Sequence, residues 1–416
     1  MKVRTNSQTD CREIVFIMEV FIMGGIETLM ARLGKTLAKD GWRVTILTRT
    51  AAPEAVRMLD QTIHLHQLGE NYKRLYSSRN SVKLLRSLDL ETIHAVFSGD
   101  GAAGWIATVI SSFLPCHPKI LCGVYVPTQN VYPPKREFFR SCYGKFLAAQ
   151  NFDRNVADRC KLFYSERIRE LHSRSFGRSL SEARVWLLPV DSSMFKNCRR
   201  QPRRGKIVSV GRLVHWKTYN LYMIPIVRRL ADKGFPVHWD VYGDGEARGD
   251  MEKLIQKHGL ETQITLHGTL DYQHLGEALE DAWVFVGSGT AIIEAGFCRV
   301  PSIMGIGDDK TSKCYGYLYD VPLGCLSESL DEPPDIDVAQ LIENLFLLED
   351  TEYHQEMEKT WQYVQPFEQG QVYKEFLQSL EMAAPARLSR LKIAAYNATT
   401  AYRRWRFSLA QRRKLR

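Results

Sequence analysis

Apolar residues along this chain occur in short bursts of two spacings, and the bursts alternate. Apart from Glu19, Ile14 to Met23 is a continuous run of mostly apolar residues, the pattern of a buried strand. Gly24-Gly25 breaks it. From Ile26 to Lys39 the apolar residues Ile26, Leu29, Met30, Leu33 and Leu37 return every three or four positions, the spacing of one helix face; Gly41 then stops the helix, with Lys39 in its last turn. Val44 to Leu47 is the next strand. Strand, helix and strand in that order predict a βαβ unit, which means a parallel sheet and a right-handed crossover. Further strands are predicted at Ala95–Phe97, Ile120–Val124, Lys161–Tyr164 and Val185–Leu188.

Residues 197–205 are polar and basic and contain Pro202 and Gly205, so they read as a linker. The alternation then resumes. Strands are predicted at Ile207–Val210, Val237–Tyr242, Ile264–His267 and Trp283–Val286. Helices are predicted at Leu221–Lys233, Met251–His258 and Gly276–Asp281, and from Thr290 onwards. The fold class expected is α/β, with two Rossmann-like βαβ domains facing across a cleft and a basic helical tail. The boundaries read as 1–196, a linker 197–205, 206–370, and C-terminal helices with the tail over 371–416. Open parallel sheets bind ligands outside the carboxyl ends of their strands, so the site is expected at those rims.

Composition narrows the class. Apolar residues make up 44% and charged residues 25% of 416, which excludes a disordered or fibrous chain. The net charge is +9, but residues 386–416 hold ten Lys/Arg and no acid, so the other 385 residues carry a net −1. The molecule thus reads as a near-neutral globule with a basic end, not as a nucleic-acid binder; no nucleic-acid module is evident. The nine cysteines include no Cys-x-x-Cys and no zinc spacing, which suits reduced thiols in a cytosolic protein. The apolar start resembles a signal peptide, but Glu19 interrupts it and no small-residue cleavage site follows.

Four segments carry candidate chemistry. Gly24-Gly25, between the first strand and helix, would let backbone amides approach an anion at a helix amino end, or would simply make a turn. Gly211-Arg212-Leu213-Val214-His215-Trp216-Lys217 follows the first strand of the second domain. Its two cations, Arg212 and Lys217, could converge on a diphosphate, Arg as a fork and Lys as a point charge. Gly287-Ser288-Gly289-Thr290 opens a helix and offers bare N–H groups as a phosphate cradle. Glu294, one turn into that helix, has two acceptor oxygens suited to vicinal ribose hydroxyls. Gly243-Asp244-Gly245 reads equally well as a tight strand–helix turn.

Taken together these residues resemble the retaining glycosyltransferases of the GT-B fold, similar to glycosyltransferase family four and its bacterial surface-polysaccharide branch, over roughly residues 14–370. The resemblance rests on Gly24-Gly25 with its helix, Pro189-Val190-Asp191 with Phe195, Gly211-Arg212-Leu213 with Lys217, Gly243-Asp244-Gly245, and Glu294-Ala295-Gly296 with Pro301. It implies transfer of a sugar from a nucleotide-diphosphate sugar to a glycan or lipid-linked acceptor in cell-surface polysaccharide or lipopolysaccharide synthesis. Arg212 and Lys217 would be catalytic, stabilising the departing diphosphate. Gly24, Gly25, Gly287, Ser288, Gly289, Thr290 and Glu294 would bind the donor. The resemblance implies no cofactor and no metal. Two departures stand out. Val286 occupies the place of the first acid of the family's Glu-x7-Glu pair, and the strand end Gly123-Val124-Tyr125-Val126-Pro127 lacks the expected histidine. These leave two alternatives open: another GT-B enzyme such as a sugar-nucleotide epimerase, or a catalytically silent nucleotide-sugar-binding or scaffold protein.

In the tail, Leu388, Leu391, Ala395, Ala398, Tyr402, Trp405 and Leu409 step by three and four among the cations. A basic helix of this kind suits an anionic membrane surface, which predicts a cytoplasmic protein held peripherally at the inner face of the membrane through residues 386–416. The alternative is a helix docked on the protein.

Overall fold

The computed structural model describes residues 12–22, 24–132, 143–196, 198 and 200–398. It divides into two compact units: Met1–Trp186 together with Tyr373–Arg416, and Leu187–Val372.

The first unit is built on a seven-stranded sheet in the order β3-β2-β1-β4-β5-β6-β7. Its strands are β1 (Glu13–Phe21), β2 (Arg43–Ala51), β3 (Ile63–Gln67), β4 (Ala95–Ser98), β5 (Lys119–Val124), β6 (Lys161–Phe163) and β7 (Arg184–Val185). Every pairing is parallel. Ile14, Val15, Phe16 and Ile17 are fully buried, which is why β1 reads as a run and not as an alternation. The helix Gly25–Lys39 crosses from β1 to β2 and buries Leu29, Met30, Leu33 and Leu37, the stripe seen in the sequence.

The second unit carries a five-stranded parallel sheet in the order β10-β9-β8-β11-β12. Its strands are β8 (Lys206–Val210), β9 (His238–Tyr242), β10 (Ile264–Gly268), β11 (Val284–Gly287) and β12 (Ser302–Met304). One face of the sheet buries Ile207, Trp239, Val241, Val284 and Val286 against Met223, Val227 and Leu230 of the helix Tyr219–Asp232. Two Rossmann-like parallel-sheet domains are thus present.

Three placements differ from the expected ones. The stretch 197–205, read as a linker, lies inside the second unit, and its described part is tied down. The Arg200 guanidinium donates to the carbonyls of Leu279, Glu280 and Ala282, and the amides of Gln201 and Arg203 donate to Glu280 and Asp281. The helix Gln369–Met382 leaves the second unit, and from Tyr373 on the chain belongs to the first: Phe376 packs on Phe97 and Trp186. The tail stripe does not hold as drawn. Residues 390–398 are helical, but Leu388 precedes that helix and need not keep its phase. Leu388 and Ile393 pack with Trp105, Val109 and Leu147, and Tyr396 stacks on Trp105 with centroids 4.0 Å apart, whereas Leu391 is 83% exposed. The start of the tail therefore docks on the first unit; Tyr402, Trp405 and Leu409 lie outside the described residues.

Candidate functional site

The carboxyl-end rim of the second sheet is assembled from consecutive strand ends. The segment after β8 and the turn after β9 are laced by backbone: Gly211 N–H donates to Tyr242 O at 2.9 Å, Leu213 N–H to Asp244 O at 2.9 Å, and Ala247 N–H to Leu213 O at 2.9 Å. Gly243 and Gly245 are at φ +151° each, and a Cβ on either would overlap the carbonyl of Gly211 or Leu213. The Gly-Asp-Gly segment is therefore a packing device that fixes the shape of the Gly211–Lys217 loop. His215 adds a polar tie, its ring meeting Glu246 at 3.2 Å and Asp250 at 3.1 Å. Hydrogen bonds to Asp250 and then Glu246 hold this imidazole's pKa above its ordinary value.

Both expected cations sit on this loop. Arg212 is exposed, and no carboxylate lies within ion-pair distance of it among the described residues. The Lys217 ammonium lies over Gly211, where a Cβ would stand 2.9 Å from Nζ, and 5.7 Å from the centre of the Trp216 ring. Gly211 has φ +148°, so its lack of a side chain serves both the backbone turn and the lysine. Trp216 in turn covers Gly307 after β12, and its carbonyl accepts from Asp308 N–H at 2.7 Å.

After β11, the Gly287–Thr290 loop leads into the helix Thr290–Phe297. A Cβ at Gly287 would come within 2.6 Å of the Phe285 ring. Gly289 is the N-cap, at φ +74°, and the helix has no side-chain cap hydrogen bond, so its first-turn amides are left to other partners. Ser288 is 3% exposed, and its hydroxyl is buried with no hydrogen-bond partner. A buried hydroxyl without a partner costs free energy and marks a place where a bound group would complete the structure. Gly289 N–H is taken by Leu326 O at 3.0 Å. Leu326 is itself held by the buried Glu328, whose carboxylate accepts from Leu326 N–H at 2.9 Å and Ser327 N–H at 3.2 Å and has its pKa raised by burial.

Glu294 is 4% exposed and accepts from the Tyr272 hydroxyl at 2.7 Å. Tyr272 and Glu328 are participants that the sequence reading missed. The tyrosine is 22 positions from its partner, and nothing in linear spacing links the two.

In the first unit, Gly24 caps the helix Gly25–Lys39, again with no side-chain cap hydrogen bond. A Cβ on Gly24 would stand 2.5 Å from Glu27 Oε2, while one on Gly25 would meet nothing within 4 Å. The overlap at Gly24 is with the end of a flexible side chain that can withdraw, and Gly25 is required by nothing among the described residues. The Pro189-Val190-Asp191 motif is structural. Asp191 Oδ1 accepts from Ser193 N–H at 3.1 Å to start the turn Ser192–Phe195, and Val190 exchanges backbone hydrogen bonds with Phe367 and Gln369. The strand end at Gly123 continues into a loop held by Gln129, which donates to Gly123 O at 2.8 Å and accepts from Tyr125 N–H at 3.0 Å. No group of three or more metal-ligating side chains occurs among the described residues, and no described helix is long and apolar enough to cross a membrane.

Residues 192–305, which contain Arg212, Lys217, Tyr272, the Gly287–Thr290 loop and Glu294, match the family model "Glycosyl transferases group 1". A curated relative from Arabidopsis thaliana, one of the subunits of phosphatidylinositol N-acetylglucosaminyltransferase, is 30% identical over 136 residues; that match spans 30% of this chain and 30% of the relative. Among solved structures, a glycosyltransferase from Rickettsia africae ESF-5 superposes with a TM-score of 0.66 at 14% identity, covering 90% of this chain and 98% of the other. Anabaena HepE, solved with UDP and glucose, gives 0.61 at 13% identity over 89% and 100%. The lipopolysaccharide outer core galactosyltransferase WaaB gives 0.56 at 13% over 89% and 99%. At these identities the structural matches establish the fold. Residues 192–305 thus match the glycosyl transferases group 1 model, in a chain whose two parallel-sheet Rossmann-like units match the fold of solved glycosyltransferases.

Proposed function

We propose that this protein is a retaining hexosyltransferase that moves a sugar from a nucleotide-diphosphate sugar to a glycan or lipid-linked acceptor in surface polysaccharide or lipopolysaccharide synthesis. The observation that carries the reading is the second unit's strand-end rim. There an uncapped helix amino end, a buried Ser288 hydroxyl and two cations without acidic partners among the described residues occur on loops at the ends of neighbouring strands. A diphosphate supplies the negative charge and acceptor oxygens that this rim lacks. In this reading Arg212 and Lys217 neutralise the leaving diphosphate, and the amides of Ser288 and Thr290 bind it. Gly24-Gly25 of the first unit keeps an amide-lined approach to the reacting sugar. The neutralising charge comes from side chains, so transfer is expected to persist in a metal chelator. Release of nucleoside diphosphate from a panel of nucleotide sugars, with acceptor present and absent, tests the reading; conversion of the sugar nucleotide without acceptor would favour an epimerase instead.

The reading assigns the ribose hydroxyls to Glu294, joining or displacing Tyr272. Glu294→Gln keeps the size and removes the charge, so donor affinity should fall roughly tenfold, the scale of one charge-assisted hydrogen bond. A 2′,3′-dideoxy nucleotide, measured by calorimetry, should bind both forms nearly equally. If it separates them as strongly as the normal nucleotide does, Glu294 acts elsewhere.

The tail is assigned to an anionic membrane surface. Its described start is docked on the first unit, so the attraction falls to the seven Lys/Arg of residues 399–416. At about 1 kcal/mol per engaged cation the binding is reversible and weakens as salt shortens the Debye length. Chain ending at residue 398 should lose co-sedimentation with anionic vesicles and keep activity on a soluble acceptor. Equal pelleting of full-length and shortened protein at matched salt would end the tail's role as anchor.

A further inference from the structure

Below the end of the helix Thr290–Phe297 the second unit has a cavity of about 300 Å3, lined by Ser192, Phe195, Arg200, Arg299 and Trp361 and by two cysteines, Cys198 and Cys298. The cysteines are a hundred positions apart in the chain, yet both line this one cavity, where each side chain acts on the other, and both are free thiols. They are not equivalent. Cys298 is 2% exposed and terminates the helix, its N–H donating to Glu294 O at 3.2 Å. Cys198 is half-buried, opens on the cavity and lies 3.6 Å from the carbonyl of Gly276.

The proton is unequally shared as well. The hydrogen bond from Cys298 and the nearby Arg200 guanidinium favour the thiolate at Cys198, whereas donation to Cys198 and burial hold the proton on Cys298. Burial shifts Cys116, Cys122, Cys160 and Cys314 in the opposite sense from Cys198. A half-buried thiol of lowered pKa, beside a cation and sharing its cavity with a second, more deeply buried thiol, is the arrangement of an attacking and a resolving cysteine.

We propose that Cys198 and Cys298 form a peroxide-responsive pair that closes to a reversible disulfide. The Cys198 thiolate attacks one peroxide oxygen. The O–O bond breaks, the Cys198 sulfur becomes a sulfenic acid, and the other oxygen leaves as water or alcohol after taking a proton. The Cys298 sulfur then attacks the sulfenic sulfur, the S–O bond breaks, and the hydroxyl leaves with the Cys298 proton as water. The two thiols have lost two electrons, and the peroxide has gained them. A dithiol reductant reverses the change. The bond ties the segment before β8 to the end of the helix that carries Glu294, so it acts on the framework behind the strand-end rim and not on the rim itself.

The test is chemical and does not depend on any transferase activity. Full-length protein is reduced, desalted and exposed to excess hydrogen peroxide, its remaining thiols are alkylated, and it is digested without reductant for mass spectrometry. The expected product is a peptide pair joined through Cys198 and Cys298 that separates on treatment with dithiothreitol. With Cys298→Ser the first step has no resolving thiol, so dimedone should label Cys198. With Cys198→Ser dimedone labelling of Cys298 should be lost. Absence of the joined pair in wild-type protein overturns the proposal, and that arm needs no variant to fold. Dimedone labelling of Cys298 in Cys198→Ser at the level seen for Cys198 in Cys298→Ser overturns the assigned roles.

Discussion

Arg212→Ala is expected to slow sugar transfer roughly ten- to a hundredfold or more, because a charge-assisted hydrogen bond to a phosphate oxygen is worth about 1.5–3 kcal/mol. The loss should appear mainly in kcat, since charge on the leaving diphosphate grows as the glycosidic bond breaks. Stability should hardly change. Arg212 is exposed and makes no ion pair with a described residue, so its removal opens no cavity and strands no partner. Lys217→Met should act in the same direction and carry a small structural cost, because its stem and ammonium lie across Gly211 and the Trp216 ring. The two substitutions serve one charge, so together they should cost less than the sum of the separate losses. Steady-state kinetics beside thermal unfolding checks this. Wild-type kinetics in folded Arg212→Ala would remove that residue from the site.

What the sequence made legible follows from which forces act locally. Strands buried on both faces were visible as runs, and amphipathic helices as three-four spacing, because both patterns are written by burial alone. The strand Ile63–Gln67 was not visible, since Ile-His-Leu-His-Gln on the sheet's edge needs only one apolar face and carries two histidines. The glycine loops were legible as punctuation, but their purposes were not. Gly243 and Gly287 answer to a carbonyl and a ring that only the folded chain brings near. Residues 197–205 looked like a linker because their composition is polar. The same Arg200 that made them polar is spent on three backbone carbonyls of the second unit. In the tail, counting by threes and fours chose Leu388 and Ala395, which do pack on the first unit, but also Leu391, which is exposed, and it passed over Ile393 and Tyr396. The helix starts only at residue 390, and a start point is a tertiary decision.

Gly243→Ala and Gly25→Ala should separate a glycine that serves the fold from one that serves a ligand. At Gly243 the backbone has φ +151°, and a methyl group would be driven into the Gly211 carbonyl, an atom with no rotamer by which to withdraw. The backbone strain and the overlap together should cost about 3 kcal/mol or more. For a unit of this size that lowers the unfolding midpoint by roughly 6–12 °C. Because the displaced carbonyl belongs to the loop that bears Arg212, any folded fraction should also transfer sugar poorly. Gly25 begins a helix and is exposed, and a methyl group there meets no atom within 4 Å. Alanine also favours helix over glycine by up to about 1 kcal/mol. Gly25→Ala should therefore keep or raise the unfolding midpoint. If its amide closes on a bound substrate, the added methyl group must still lower kcat/KM. Calorimetry and kinetics on the two variants give a crossed result: stability lost at 243, activity lost at 25 with stability intact. Full activity in Gly25→Ala would confine the anion site to the second unit and leave Gly24-Gly25 as a turn.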